Sequence, residues 1–271
     1  MELLPHLFRQ EYAKMTAVLC RHFGLHHIAV AEDIASDTFL KASEYWAIHG
    51  IPDNPVGWLY TVAKNKAKDH LKHLRIVQQH NHEGNRNPPV TEPGFEISKQ
   101  LIEDSQLAMI FAVCNPSISA ESQVCLALQI LCGFSVEEIA QAFLTNRETI
   151  KKRLHRARHH LRHNAFSLNR LEPVHIQSRL GMVLKTIYLL FNEGYFSRTH
   201  HVSIRRDLCS EAIRLALCLV ENPLTRTPRV HALVALMCYQ SSRLEARVDA
   251  DGALVLFDKQ DRTQWDQELI D

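Results

Sequence analysis

The chain has 271 residues, 46% of them apolar, with 31 Lys and Arg against 30 Asp and Glu and a formal net charge of +1. That length exceeds one average domain and supplies apolar residues for two or three small cores, while the near-neutral balance says nothing of partners, so local charge must carry that argument. No uninterrupted apolar run reaches membrane length and the start MELLPHLFRQ is unlike a signal peptide, which predicts a cytoplasmic protein with no membrane partner. The cysteines (Cys20, Cys114, Cys125, Cys132, Cys209, Cys218, Cys238) form no CxxC pair and read as reduced core residues. Few glycines and long 3.6-residue periods predict an all-α fold.

In chain order, residues 3 to 23 carry Leu4, Leu7, Phe8, Tyr12, Met15, Val18, Leu19 and Phe23 at helical spacing and stop at Gly24, a C-cap signal. A second helix is predicted from about His26 to His49, with Ile28, Ala31, Ala35, Phe39, Ala42 and Trp46 inward and Glu32, Asp33, Asp37, Lys41 and Glu44 on the other face. Four acids against one Lys repel DNA, so this face suits a protein contact or plain solvation. Pro52 and Pro55 frame a tight loop in which Asn54 is an N-cap and Pro55 the first helical residue. The next helix buries Leu59, Val62, Ala63, Ala67, Leu71 and Leu74, leaving Tyr60, Lys64, Lys68 and Lys72 on an exposed face that Lys66 and Arg75 extend. Trp58 and Tyr60 stand at the mouth of that basic surface, where rings stack on unpaired bases; Trp58 reads equally well as core.

Residues 78 to 98, QQHNHEGNRNPPVTEPGFEIS, lack a helical period and mark a linker. A helix starts at Lys99, and another from Ser119 to Cys132 closes at Gly133. Ser135 to Leu161 then reads as a helix-turn-helix. Ile139, Ala140 and Phe143 keep helical spacing, Leu144, Thr145 and Asn146 interrupt it, and Ile150, Leu154, Ala157 and Leu161 resume it. Leu144 stands where that turn commonly holds Gly at positive φ, which predicts a turn built differently. The outer face of the second helix carries Arg147, Thr149, Lys151, Lys152, Arg153, Arg156 and Arg158, and Glu148 is the one acid from Arg147 to His163. This is the footprint of phosphate contact, and in this motif the helix start (Arg147, Glu148, Thr149, Lys152) enters the major groove. A solvated basic face is the alternative.

After Pro173 a fresh set of helices is predicted over residues 175 to 194, 207 to 220 (Leu208, Ala212, Leu215, Ala216, Leu219) and 229 to 240 (Val230, Leu233, Leu236, Met237). They form a small bundle, expected to be separable from the fold of residues 1 to 165. Asp249 to Gly252 is a turn signal, and LVLF beyond it reads as a short strand. Glu193, Asp249, Asp251, Asp258 and Asp261 lack ligand spacing, and the pairs His22 with His26 and His155 with His159 lack a third ligand, so no metal or cofactor is expected. No Walker loop, nucleophile elbow or dinucleotide fingerprint occurs, so no enzyme and no catalytic residue is expected.

The order AEDIASDTFLKASEYW, GIPDNPVGWL, TVAKNKAKDHLKH strongly resembles region 2 of bacterial sigma factors of the extracytoplasmic-function type, and the helix-turn-helix resembles their region 4. DSQLAMIFAVCNPSI, IYLLFNEGY and ADGALVLFDKQDRTQW resemble a subgroup with a C-terminal helical, tetratricopeptide-like extension. The resemblance implies a region 2 domain over residues 1–77, a linker over 78–98, a region 4 domain over 99–165 and an extension over 173–271. It implies that Asp33, Asp37 and Phe39 dock on core RNA polymerase, with the β′ clamp and β flap as partners. Trp58, Tyr60, Lys64, Asn65, Lys68 and Lys72 would capture the unwound minus-ten strand, and Arg147, Glu148, Thr149, Lys151, Lys152, Arg153, Arg156 and Arg158 would read the minus-thirty-five element. A polymerase-independent regulator, or a scaffold whose C-terminal helices bind a protein or ligand, stays open, as does an intramolecular contact of residues 173–271.

Overall fold

A computed structural model describes residues 3–81, 97–163, 168, 172–195, 205–249 and 253–271, leaving out the side chains of residues 74–81 and 175. Most of the expected linker, the side chains of Leu74 and Arg75, and Asp251 lie outside the described residues. Two compact units divide between Gln106 and Leu107. Among the described residues the secondary structure is helical, and the strand expected in LVLF is reduced to one antiparallel bridge between Val248 and Leu254.

In the first unit α1 (Leu3–Phe23), α2 (Ile28–His49) and α3 (Pro55–Asn81) pack on one another. The predicted inward stripe of α2 is buried throughout, and alanines mark the close approaches: Ala31, Ala35 and Ala42 on α2, Ala63 and Ala67 on α3, all fully buried. Small side chains let backbones approach and bring the larger Ile28 and Leu59 into full burial beside them. α1 ends as expected at Gly24, whose φ of 85° favours glycine. α3 starts at Pro55, with the Asn54 side chain accepting from the Gly57 amide at 2.8 Å.

The second unit holds the C-terminal half of α4 (Lys99–Val113) together with α5 (Ala120–Cys132), α6 (Val136–Ala142) and α7 (Arg147–Arg162). It also holds α8 (Pro173–Tyr195), α9 (Arg206–Glu221) and α10 (Pro228–Ser241). α6 and α7 are the expected helix-turn-helix, seated on α5. α8 packs on α9, α10 on both, and α8 also on α5, so the helices expected on either side of a boundary between residues 165 and 173 share this unit. The α9 stripe Leu208, Ala212, Leu215, Ala216 and Leu219 is buried as predicted, whereas Leu236 of α10 is exposed and Met237 takes the core. Beyond α10 the chain is pinned by Arg243, whose guanidinium lies 4.9 Å from the Phe257 ring and donates to the Tyr195 hydroxyl at 2.8 Å. All seven cysteines are free, and five are buried.

The helix-turn-helix corner corrects one expectation. Leu144 adopts φ 48°, so the turn keeps the left-handed step of its glycine-bearing counterparts, with leucine in that step and its side chain half exposed. The amides of Leu144 and Thr145 close the corner on the carbonyls of Gln141 and Ala140. Holding an L-residue there costs about 1–2 kcal/mol, against roughly 0.5–1 kcal/mol for the extra unfolded-state freedom of glycine. Leu144→Gly is therefore expected to raise stability by up to about 1 kcal/mol in denaturant unfolding, and Leu144→Val to lower it by about 1 kcal/mol or more. Lower stability in Leu144→Gly would mean that the exposed leucine makes contacts worth more than the backbone cost.

Candidate nucleic-acid interface

Both helices of the helix-turn-helix are fixed at their N-termini by ordinary local chemistry. Ser135 and Glu138 form a reciprocal capping box at the start of α6, and the Asn146 side chain accepts from the Thr149 amide at 2.8 Å at the start of α7. Ile150, Leu154, Ala157 and Leu161 are buried as predicted, which sets the opposite face of α7 outward. Arg147, Glu148, Lys151, Lys152 and Arg156 are exposed there, and Thr149 is half-buried.

Each of several cations on this helix already has an acid or amide. Arg147 pairs with Glu137 of α6 across the turn, and Lys151 lies 3.0 Å from Glu148, whose carboxyl is held below its usual range by that hydrogen bond and the neighbouring cations. Arg153 pairs with Glu121 of α5 at 3.0 Å and Arg158 donates to the Gln129 side chain at 2.9 Å, so these two turn toward α5. Lys152 and Arg156, one turn apart, remain on the outward stripe, with the Arg156 Nε donating to the Lys152 carbonyl at 3.3 Å. Sequence reasoning missed Glu137 and Glu121, whose only signal was an acid inside or beside a basic motif.

In the first unit Lys68, Lys72 and Asn65 are exposed, Lys64 is half-buried, and Lys66 pairs with Asp37 of α2 at 3.2 Å. Tyr60 corrects the expected exposed row: it is 7% exposed, and its hydroxyl donates to Glu11 at 3.0 Å. Burial and the Glu11 charge push its phenol far above the ordinary range, so it stays a donor. Glu11 was legible as a lone acid in the apolar stripe of α1, four residues from both Leu7 and Met15. Trp58 is half-buried, edge-on to Trp46 and stacked on Tyr45 with ring centroids 5.5 Å apart in each case, and Tyr45 in turn stacks on His49 at 4.1 Å. A cavity of about 540 Å³ opens beside Tyr60 and Lys64, lined also by Glu11, Lys14, Asn54 and Thr61.

On α2, Asp33 is exposed and Asp37 is exposed but tied to Lys66. Phe39 is buried at 5% exposure, with its ring edge-on to Phe8 at 5.1 Å, so its side chain belongs to the core of the unit and not to an outward contact face. His159 stacks on His163 and His26 lies against His27, and among the described residues no cluster of three or more His, Cys, Asp or Glu is arranged to hold a metal. No described helix is long and apolar enough to cross a membrane.

Comparison with known proteins matches residues 7–75 to sigma-70 region 2, residues 117–161 to sigma-70 region 4, and residues 179–271 to a family of unknown function. An uncharacterized protein of Rhizobium meliloti is 32% identical over 93% of this chain, which spans 60% of that protein's length. The RNA polymerase sigma factor YlaC of Bacillus subtilis is 27% identical over 59% of this chain and 91% of its own. The ECF RNA polymerase sigma factor BldN of Streptomyces coelicolor is 30% identical over 48% of each. No solved structure matches.

The Tyr60 to Glu11 bond has a measurable consequence. Tyr60→Phe removes the hydroxyl donor from the largely buried Glu11 carboxylate, which keeps its ion pair with Lys14, and is expected to cost about 1–3 kcal/mol in urea unfolding. A change below about 0.3 kcal/mol would make the hydroxyl energetically idle and reopen a surface role for the ring.

Proposed function

The chain belongs to the extracytoplasmic-function branch of the sigma-70 family, and from that premise we propose that it is a sigma factor that binds core RNA polymerase and directs promoter recognition and melting. The observation that carries this reading is the outward stripe of α7: a capped helix with four buried residues on one side and exposed cations on the other, mounted as the second helix of a helix-turn-helix. Its first turns, with Arg147, Glu148, Thr149, Lys151 and Lys152, are the groove-entering part, and Arg156 reaches phosphates. Arg153 and Arg158 hold α7 to α5 and steady it against the backbone.

Region 2 supplies the second contact. Lys64, Asn65, Lys68 and Lys72 present a basic edge to the minus-ten strand, with the part-exposed Trp58 stack at its start available to an unpaired base. Tyr60 acts from below, fixing the floor of that edge through Glu11. The acidic face of α2 repels DNA and is the docking face for the β′ clamp, with Asp33 exposed on it and Asp37 shared with Lys66. Each DNA module is weak alone, and polymerase raises the effective concentration of one once the other is bound.

In vitro transcription with core polymerase on a genomic DNA pool is expected to yield start sites absent without this protein; identical start sites with and without it overturn the reading. Lys152→Ala and Arg156→Ala are each expected to weaken promoter binding by the holoenzyme, Lys152→Ala by about 1–3 kcal/mol and with altered sequence preference if it meets a base, Arg156→Ala uniformly across promoters. Asp33→Lys is expected to weaken polymerase pull-down with an unchanged circular dichroism spectrum. It is a cleaner probe than Asp37→Lys, which also breaks the bond to Lys66.

A further inference from the structure

α5 has two working sides, and only one belongs to the helix-turn-helix. Glu121, Cys125 and Gln129, spaced by four, lie toward α7: Glu121 pairs with Arg153, Gln129 accepts from Arg158, and Cys125 lies close enough to Arg153 for its thiol to feel that charge. Gln123 and Leu131 stand two residues out of step with that row, about 200° around the helix, and so point the other way. That second side is where α8 and α9 arrive.

The contacts there meet backbone groups that a helix cannot satisfy by itself. An α-helix leaves its last four carbonyls without partners. Arg179 of α8 donates to the Phe111 carbonyl in the last turn of α4 at 3.0 Å, and Arg214 of α9 donates to the Leu131 carbonyl in the last turn of α5 at 3.1 Å. Both are cations set at helix C-termini, the favourable end for positive charge. Arg214 is also held by Glu211 at 2.7 Å. Between these two points Thr186 of α8 donates to the fully buried Gln123 side chain at 3.1 Å, whose amide reaches the carbonyls of Asn115 and Ile118 at 3.0 and 2.6 Å. Arg205, at the start of α9, lies 5.8 Å from the ring of Phe134 and feels the charge of Glu138, the capping-box acid of α6.

We propose that α8 and α9, in the segment matched to a family of unknown function, act as a brace for the reading helix: they complete the far side of α5 and thereby fix the seat of α7 without covering its outward face. The second half of that statement rests on exposure. With the extension in place Arg147 and Lys151 keep 59% and 49% of their side-chain surface, and Lys152 is exposed. The extension touches the side of α5 opposite to α7 and grips carbonyls that α7 does not use. The brace follows from contacts within this unit and stands whether or not the promoter reading does.

Hydrogen exchange of the full-length chain, read by mass spectrometry, tests it with two substitutions far from the outward face of α7. Arg214→Met removes the grip on the Leu131 carbonyl, and Thr186→Val removes the bond to Gln123 while keeping side-chain shape. In each variant exchange is expected to accelerate about fivefold or more in peptides from α5 and α7, with peptides from α2 unchanged as the internal reference. Acceleration confined to residues 173–241, or no acceleration anywhere, overturns the brace and makes the extension an independent appendage. If Arg214→Met does not fold, the near-isosteric Thr186→Val decides alone.

Discussion

The second unit depends on a helix that has no solvent face to spare. From Gln123 to Cys132 every residue of α5 except Gln129 is buried, Gln123 included. A helix that is apolar all round must be covered all round. One covering is α7 with α6, and the other is α8, joined by Arg214 of α9. The polar members of this core are satisfied only when both coverings are present, since a buried amide left without a partner costs about 1–3 kcal/mol. α7 needs that seat more than most helices. It has sixteen residues and an excess of positive charge, so its charged i,i+4 neighbours (Arg147 with Lys151, Lys152 with Arg156, Arg158 with Arg162) repel more often than they attract, and isolated helices of that length are marginal even with good composition.

The acids around α7 arrange its charge rather than cancel it. Glu137, Glu148 and Glu121 each hold one cation at an exposed or half-exposed position. Such exposed pairs are weak, so exchanging Glu137 or Glu148 for another anion costs Arg147 or Lys151 little. The pair with Glu121 differs in direction, because it draws Arg153 toward α5 and away from the reading edge. A basic stripe counted from sequence therefore contains two populations, cations that anchor the helix and cations left on its outward face, and only the packing of α5 separates them.

Much of the fold was legible because its signals are local. Gly24, Gly133, Asn54 with Pro55, and Ser135 with Glu138 end or start helices where their backbone chemistry says they should. The inward stripes of α2, α7 and α9 follow from spacing alone. The misses share one geometric cause. Four-residue steps wind forward about 40° each, so a row from Tyr60 to Lys72 turns about 120°, which puts Lys72 in water while Tyr60 sits in the core. Three-residue steps wind the other way by about 60° each, so Leu236 stands about 120° from Val230, and Met237 returns to the core side. Phe39 already sat in the apolar stripe, and its burial follows that stripe over the resemblance. The second side of α5 was beyond any local pattern, because it is set by Thr186 and Arg214, more than sixty residues downstream.

The charge layout of the first unit carries the same lesson about function. α2 turns acids outward while α3 turns lysines outward, and where the two helices meet, Asp37 and Lys66 neutralise each other at 3.2 Å. That pair marks a seam between an acidic surface and a basic one. A helix-turn-helix regulator acting alone has no use for a rejecting surface beside a basic one, since total positive charge would serve it better. A protein that must offer one face to another protein and the adjacent face to DNA needs the two separated within a few residues, and the seam at Asp37 and Lys66 meets that requirement.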